Sequence, residues 1–188
     1  MHDLLVGMLL EDGDVEAAVG FRREEFERYP TRANYFALAD PSGWAIPVMR
    51  ERAARDPVFS SELIDVLLAL GHDDEAWHTG RRHAEWVGEH QWLTLLERRR
   101  ATHPAEVIGP YEELVERRAL KSEDKQRYRR AVALLPALRE AYWAAGTPEG
   151  YRTYLSDLRS RHTRRPAFLR ALEDDPATAP RTPGPTLG

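Results

Sequence analysis

Across residues 122–145 apolar side chains recur at steps of three and four, and nowhere in the chain do they alternate with polar ones long enough to make a strand. Tyr128, Ala131, Leu135, Leu138, Tyr142 and Ala145 fall on one side of a 3.6-residue helix. Lys125, Arg127, Arg130 and Glu140 fall largely outside that stripe. Ser122 is placed to cap the helix, Glu123 and Asp124 suit the positive end of its dipole, and Gly146 suits its stop. Pro136 lies within the stretch, so the reading is one long helix that kinks or breaks about a turn earlier.

The same period recurs on both sides and predicts an all-α chain. Helices are predicted at 3–11, 15–29, 31–39, 44–55, 61–70, 72–87, 91–101, 105–120 and 148–162, with a short closing piece around Phe168, Leu169 and Leu172. Asp14 and Thr31 read as caps, as does Thr147 with Pro148 at the first helical position. The pair Gly109-Pro110 reads as an interruption of the 105–120 helix. Gly80 and Ala84 share a face of the 72–87 helix and leave room for a close neighbour. Three turns look alike, with Gly13, Gly71 and Gly146 each followed by a capping residue and an acid, at spacings that fit no single repeat. The first hairpin resembles a tetratricopeptide hairpin. The architecture expected is an irregular TPR-like helical-hairpin solenoid, or right-handed α-α superhelix, with a compact bundle as the alternative. Residues 1–172 are taken as one repeat-like domain, and proline density marks 173–188 as a disordered tail.

Several function classes drop out on composition. The 188 residues contain no cysteine, which removes disulfides, thiolate catalysis and cysteine-ligated zinc. No apolar run approaches the ~18–20 residues needed to span a bilayer, and no signal-peptide pattern opens the chain. A cytoplasmic location without membrane attachment is therefore expected. Phosphate-loop, dinucleotide-loop and nucleophile-elbow patterns are absent. No catalytic, cofactor-binding or metal-ligating residue is assigned, and the chain is read as no enzyme.

Charge is distributed unevenly. Residues 1–97 carry 9 Arg and Lys against 19 Asp and Glu, and residues 98–188 carry 18 against 12, within a net −4. Such a dipolar chain suits an electrostatic partner, or its halves attract each other. Arg98, Arg99, Arg100, Arg118, Lys121, Lys125, Arg127, Arg129 and Arg130 come from successive helical regions and would contact nucleic-acid phosphates if their faces aligned. Interspersed acids favour a solvated, salt-bridged surface instead. Glu112, Glu113 and Glu116 are read as partners of Arg117 and Arg118 along their own helix. His72, His78, His83 and His90 lack metalloprotease spacing and read as surface or helix-end residues, and Asp73, Asp74 and Glu75 read as a capping pattern. Trp77, Trp92, Trp143, Tyr128, Tyr142 and Tyr151 lie mostly on apolar stripes, which favours core packing over a carbohydrate or peptide groove; Trp44 and Trp86 are the candidates for exposure.

The runs HPAEVIGPYEELVERRALKSEDKQRYRRAVALLPALREAY and GTPEGYRTYLSDLRSRHTRRPAFLRALED resemble the helical C-terminal region of actinobacterial SWIM zinc-finger family proteins. The stretch 71–77 and the helix around Trp92 fit the same region, so the likeness extends over 31–173 and is most specific at 103–172. That family's zinc module has the pattern CxCx(n)CxH, which a chain without cysteine cannot supply. The resemblance therefore implies only the helical arm, as part of such a protein or as a stand-alone gene product. It implies a non-enzymatic scaffold for a protein partner. The alternatives are a nucleic-acid accessory module using the basic half, and a small-molecule site built on His83, His90 and 73–75.

Overall fold

The computed structural model describes residues 2–38, 43–121 and 125–178, and every regular element among them is a helix. No described helix is long and apolar enough to cross a membrane. Where the sequence suggests one domain over 1–172, the chain divides into two compact units, Met1–Leu95 and Leu96–Gly188.

Unit 1 contains α1 (His2–Glu11), α2 (Val15–Arg28), α3 (Arg32–Phe36), α4 (Ala45–Arg55), α5 (Ser60–Ala69) and α6 (Asp73–Arg82). The unit boundary falls within α7 (Glu89–Thr102). Asp14 caps α2 by accepting from the Ala17 amide at 3.0 Å, and Thr31 caps α3 by accepting from Asn34 at 3.2 Å. Helix α5 packs against α3, α4 and α6 and buries Ile64, Val66 and Leu67. The Arg32 backbone amide donates to Glu62 of α5 at 2.6 Å, and the Gln91 side-chain Nε2 of α7 donates to the Ser61 carbonyl at 2.8 Å and to Asp65 at 2.6 Å.

Three differences from the sequence reading stand in this unit. Helix α6 stops at Arg82, and a 3-10 turn over Ala84–Trp86 follows instead of a helix to Val87. Gly80 does admit a close neighbour: a Cβ there would lie 2.6 Å from Leu95 Cδ1 and 3.3 Å from Trp92 Cζ3. Ala84 is exposed and shares no part in that approach. On the helix predicted at 15–29, Ala18 and Phe26 are buried, while the equally apolar Val15 and Val19 and the aromatic Tyr29 face solvent.

Unit 2 contains α8 (Pro104–Leu120), α9 (Arg127–Val132), α10 (Leu135–Ala144), α11 (Pro148–Arg161) and α12 (Pro166–Glu173). Helix α8 packs on α9 and α10, α10 on α11, and α12 on α9. Leu114, Leu135, Leu138, Leu158, Phe168 and Leu172 form the centre of the core.

Both internal prolines test the sequence reading. The 122–145 stretch is two helices: α9 ends at Val132, α10 begins at Leu135, and Pro136 occupies the first turn of α10. There its missing N–H would have had no intrahelical acceptor, so the break costs no helical bond. The cap and acids read at Ser122, Glu123 and Asp124 lie outside the described residues, as does 40–42 of the loop read before Trp44. Pro110, by contrast, lies inside an uninterrupted α8. It is buried together with Val107, Tyr111, Leu114 and Val115, and burial of that stripe holds the helix through the lost hydrogen bond.

The three turns that look alike in sequence share one geometry. Gly13, Gly71 and Gly146 have φ of 79°, 77° and 73°. After each, the next residue's amide reaches back five residues, as Asp14 to Leu9, His72 to Leu67 and Thr147 to Tyr142, all at 2.9 Å. This is the Schellman stop, and it joins α1 to α2, α5 to α6 and α10 to α11, each pair in contact. The residues after the glycines are less uniform, since Thr147 and His72 make no side-chain cap bond.

Part of the stretch read as a disordered tail is ordered. Residues 176–178 form a 3-10 turn with Ala177 buried, whose carbonyl accepts from the Tyr151 hydroxyl at 3.1 Å. Residues 179–188 lie outside the described residues.

Candidate functional site

The nine basic residues singled out in the sequence do not share one situation. Arg99 is only 6 % exposed, and its Nε donates to Glu106 at 2.9 Å. Arg100 pairs with Glu140 of α10. Arg118 donates to the Arg130 backbone carbonyl at 2.9 Å, Arg129 donates to Gln126 at 2.6 Å, and the Arg127 guanidinium lies 4.6 Å from the centre of the Tyr128 ring. Arg98, Lys121, Lys125, Arg129 and Arg130 are exposed. Arg99 and Arg100 thus direct charge at groups of their own unit.

The histidines and the acidic triplet are likewise spread. Among the described residues no three His, Asp or Glu side chains are placed to hold a metal ion. Glu75 turns from the α6 start toward Arg50, whose Nε and Nη2 donate to its two oxygens at 2.6 and 2.7 Å. That fork closes one side of a cleft of about 580 Å³ in unit 1, which Arg82, His78 and His83 also line. The Arg50 hydrogen bond is the main cause that holds the Glu75 carboxyl below its ordinary range. Trp77 and Trp92 are buried and stacked, while Trp86 is exposed and Trp44 is half-buried beneath Arg23.

A larger cleft, of about 770 Å³, lies in unit 2 where α8, α10 and α11 meet. Helix α8 contributes Glu112, Glu113 and Glu116 from the flank of its buried stripe. Helix α11 contributes Gly150, Tyr154, Asp157 and Arg161, whose steps of four, three and four set them on one side. Tyr142 of α10 completes the wall. It comes so close to α11 that a Cβ on Gly150 would lie 2.6 Å from its Cε1 atom.

Four carboxylates face one guanidinium here, and they are not equivalent. Glu116 is fully engaged: Arg161 donates through Nε and Nη2 to Oε1 at 2.9 and 2.7 Å, and His162 Nε2 lies 2.7 Å from Oε2. Burial pushes its carboxyl up, but the bonds and charges of His162 and Arg161 outweigh that and hold it below the ordinary range. Glu112 accepts a short hydrogen bond from the Tyr142 hydroxyl. Glu113 and Asp157 are exposed and make no hydrogen bond or ion pair among the described residues. The Tyr154 hydroxyl is withdrawn from solvent and has no partner among them either. Burial, aided by the nearby Glu112 charge, raises both Tyr142 and Tyr154, so both hydroxyls stay protonated at neutral pH.

Chemically the arrangement is a cation-attracting cleft with neutral hydroxyls in its wall. Sequence reasoning passed over it because it gave the α8 acids to Arg117 and Arg118. In the structure Glu116 takes Arg161 and His162, more than forty residues further on. One signal was present: His162 falls on the apolar stripe of α11 and is buried, and a buried imidazole requires a polar partner. No family model matches the chain, and no curated protein or solved structure matches it.

Proposed function

We propose that the chain is a non-enzymatic α-helical interaction module that holds a protein partner, and that the cleft between α8, α10 and α11 docks a basic segment of it. The observation that carries this reading is the cleft itself, with Glu113 and Asp157 unpaired at its edge in a unit otherwise rich in arginine. Carboxylates without a partner of their own attract a complementary positive group on a ligand. The three glycine-stopped hairpins support an irregular TPR-like array as the scaffold, and the likeness to SWIM zinc-finger proteins supports its use as an interaction arm in a bacterial cytoplasm.

The test is affinity capture on the immobilised full chain, run with the wild type, with Glu113→Lys/Asp157→Lys and with Lys121→Glu/Arg129→Glu. A protein retained by the wild type and the last variant but lost with the cleft variant is the expected result. Capture indifferent to the cleft variant overturns the reading. The nucleic-acid alternative draws on the exposed Arg98, Lys121, Lys125, Arg129 and Arg130. It expects retardation of DNA or RNA that weakens steeply with salt and is lost with Lys121→Glu/Arg129→Glu.

A further inference from the structure

The cleft of unit 1 carries a charge opposite to that of its unit. Acids outnumber bases over residues 1–95, yet Glu75 is the one acid that lines this cleft. Both Glu75 oxygens are held by Nε and Nη2 of Arg50, which leaves Arg50 Nη1 outside the fork. The rest of the polar wall comes from α6 and its C-cap, where His78 precedes Arg82, and Thr79 precedes His83, by one step of four. The side chains of these four residues make no hydrogen bond or ion pair among the described residues. Arg82 lies in the last turn of α6, where the negative end of the helix dipole favours a cation that has no carboxylate of its own. Ala53, Ala54 and Leu63 add an apolar lining beside these groups.

Guanidinium, imidazole and hydroxyl groups are all hydrogen-bond donors, and together they suit an anion with more than two acceptor oxygens. A carboxylate is planar and offers two. A phosphate monoester offers three oxygens at tetrahedral angles and a charge of about −1.5 to −2, so it can take a guanidinium fork and further donors from other directions. The volume of about 580 Å³ falls within the range of small-molecule sites and leaves room for an organic body beside the phosphate. The net negative charge of the unit repels anions in general, so an anion retained here is retained by the groups of the cleft. We propose that this cleft binds a phosphate monoester of a small organic molecule, with Arg82, Thr79, His78 and His83 toward the phosphate and the apolar lining against the organic body. The proposal is independent of the docking role given to the cleft of unit 2.

The experiment titrates the full chain with phenyl phosphate, inorganic phosphate and benzoate, by calorimetry and by NMR of ring-labelled histidine. Phenyl phosphate is expected to bind about tenfold more tightly than benzoate, and also more tightly than inorganic phosphate, which lacks the apolar body. It is expected to shift the His78 and His83 resonances and to leave His90 in place. Arg82→Gln is expected to weaken phenyl phosphate about tenfold. Arg81→Gln removes the same charge one residue away, from a guanidinium that lies over Trp77 and outside the cleft lining, and is expected to weaken it less than about twofold. Arg82 is exposed and unpaired, so its variant is expected to keep the wild-type Tm. No binding of phenyl phosphate at about 10 mM overturns the proposal. So do equal affinities for benzoate and phenyl phosphate, or equal losses in Arg81→Gln and Arg82→Gln, since bulk charge would then explain the binding. A phosphotyrosine peptide that binds more than about tenfold tighter than phenyl phosphate overturns the small-molecule assignment.

Discussion

In the first unit, the cleft lined by α4, α5 and α6 sets Arg50, Arg82, His78 and His83 around a single carboxylate, Glu75. In the second, the cleft of α8, α10 and α11 sets four carboxylates around a single guanidinium, Arg161. Each runs against its surroundings, because residues 1–95 hold 9 Arg and Lys against 18 Asp and Glu, while residues 96–188 hold 18 against 13. The two differ in the sign of the charge left unpaired. Arg50 meets Glu75 with two parallel bonds and neutralises the only acid of its cleft. Arg161 meets Glu116 in a similar way but leaves Glu113 and Asp157 open. Similar ion-pair chemistry therefore leaves a basic residue, Arg82, open in one cleft and two carboxylates open in the other.

Core truncation is the most forceful way to test whether the units are separate bodies. Leu67→Ala in α5 and Leu138→Ala in α10 each remove a fully buried side chain and are expected to cost about 2–5 kcal/mol. Hydrogen exchange read by mass spectrometry should show lost protection confined to the unit that carries the substitution. Loss spread through both units would end the division on which the comparison rests.

The glycines at close approaches come next. In Gly80→Ala the added methyl meets Leu95, 2 % exposed and fixed in the core, and the expected cost is about 1–3 kcal/mol. In Gly150→Ala it meets the Tyr142 ring, which borders an open cleft and can turn aside. The loss there is expected to be about 1 kcal/mol, the worth of the displaced bond to Glu112. Urea midpoints rank the two, and equal losses would mean that the second cleft is as rigid as a core.

The acid limb of stability is the third measure. Glu116 and Glu75 both titrate below the ordinary value of 4.5 in the folded chain. A depressed carboxylate contributes stability that is present above its unfolded value and is lost as pH falls through the folded one. Glu116→Gln should therefore flatten the decline of the urea midpoint below about pH 4.5. Arg50→Met should act in the same window but more weakly, since its pair is half open to water. At neutral pH it is expected to cost under about 1 kcal/mol.

These contrasts follow the line between what is legible in the sequence and what is not. The Gly13, Gly71 and Gly146 turns, the caps at Asp14 and Thr31, and the split at Pro136 are local events, each decided within a turn of the residue that causes it. Pro110 carries the same local instruction as Pro136, and burial of its stripe overrides it. The cleft lies beyond such reasoning because its tie joins Glu116 to residues 45 and 46 positions away. A helical period marks which face is buried but not which flanking acid meets which arginine.

The Trp77 and Trp92 rings, nearly parallel with centres 5.6 Å apart, give the first unit an optical signature of its own. Coupled indole transitions give such a pair a two-signed circular-dichroism signal in the far ultraviolet, which weakens as the rings move apart. Trp143, in the other unit, packs edge-on against a tyrosine instead. Heating or denaturant can thus be followed in one half of an unlabelled chain, with the exciton band timing the moment that α6 and α7 come apart.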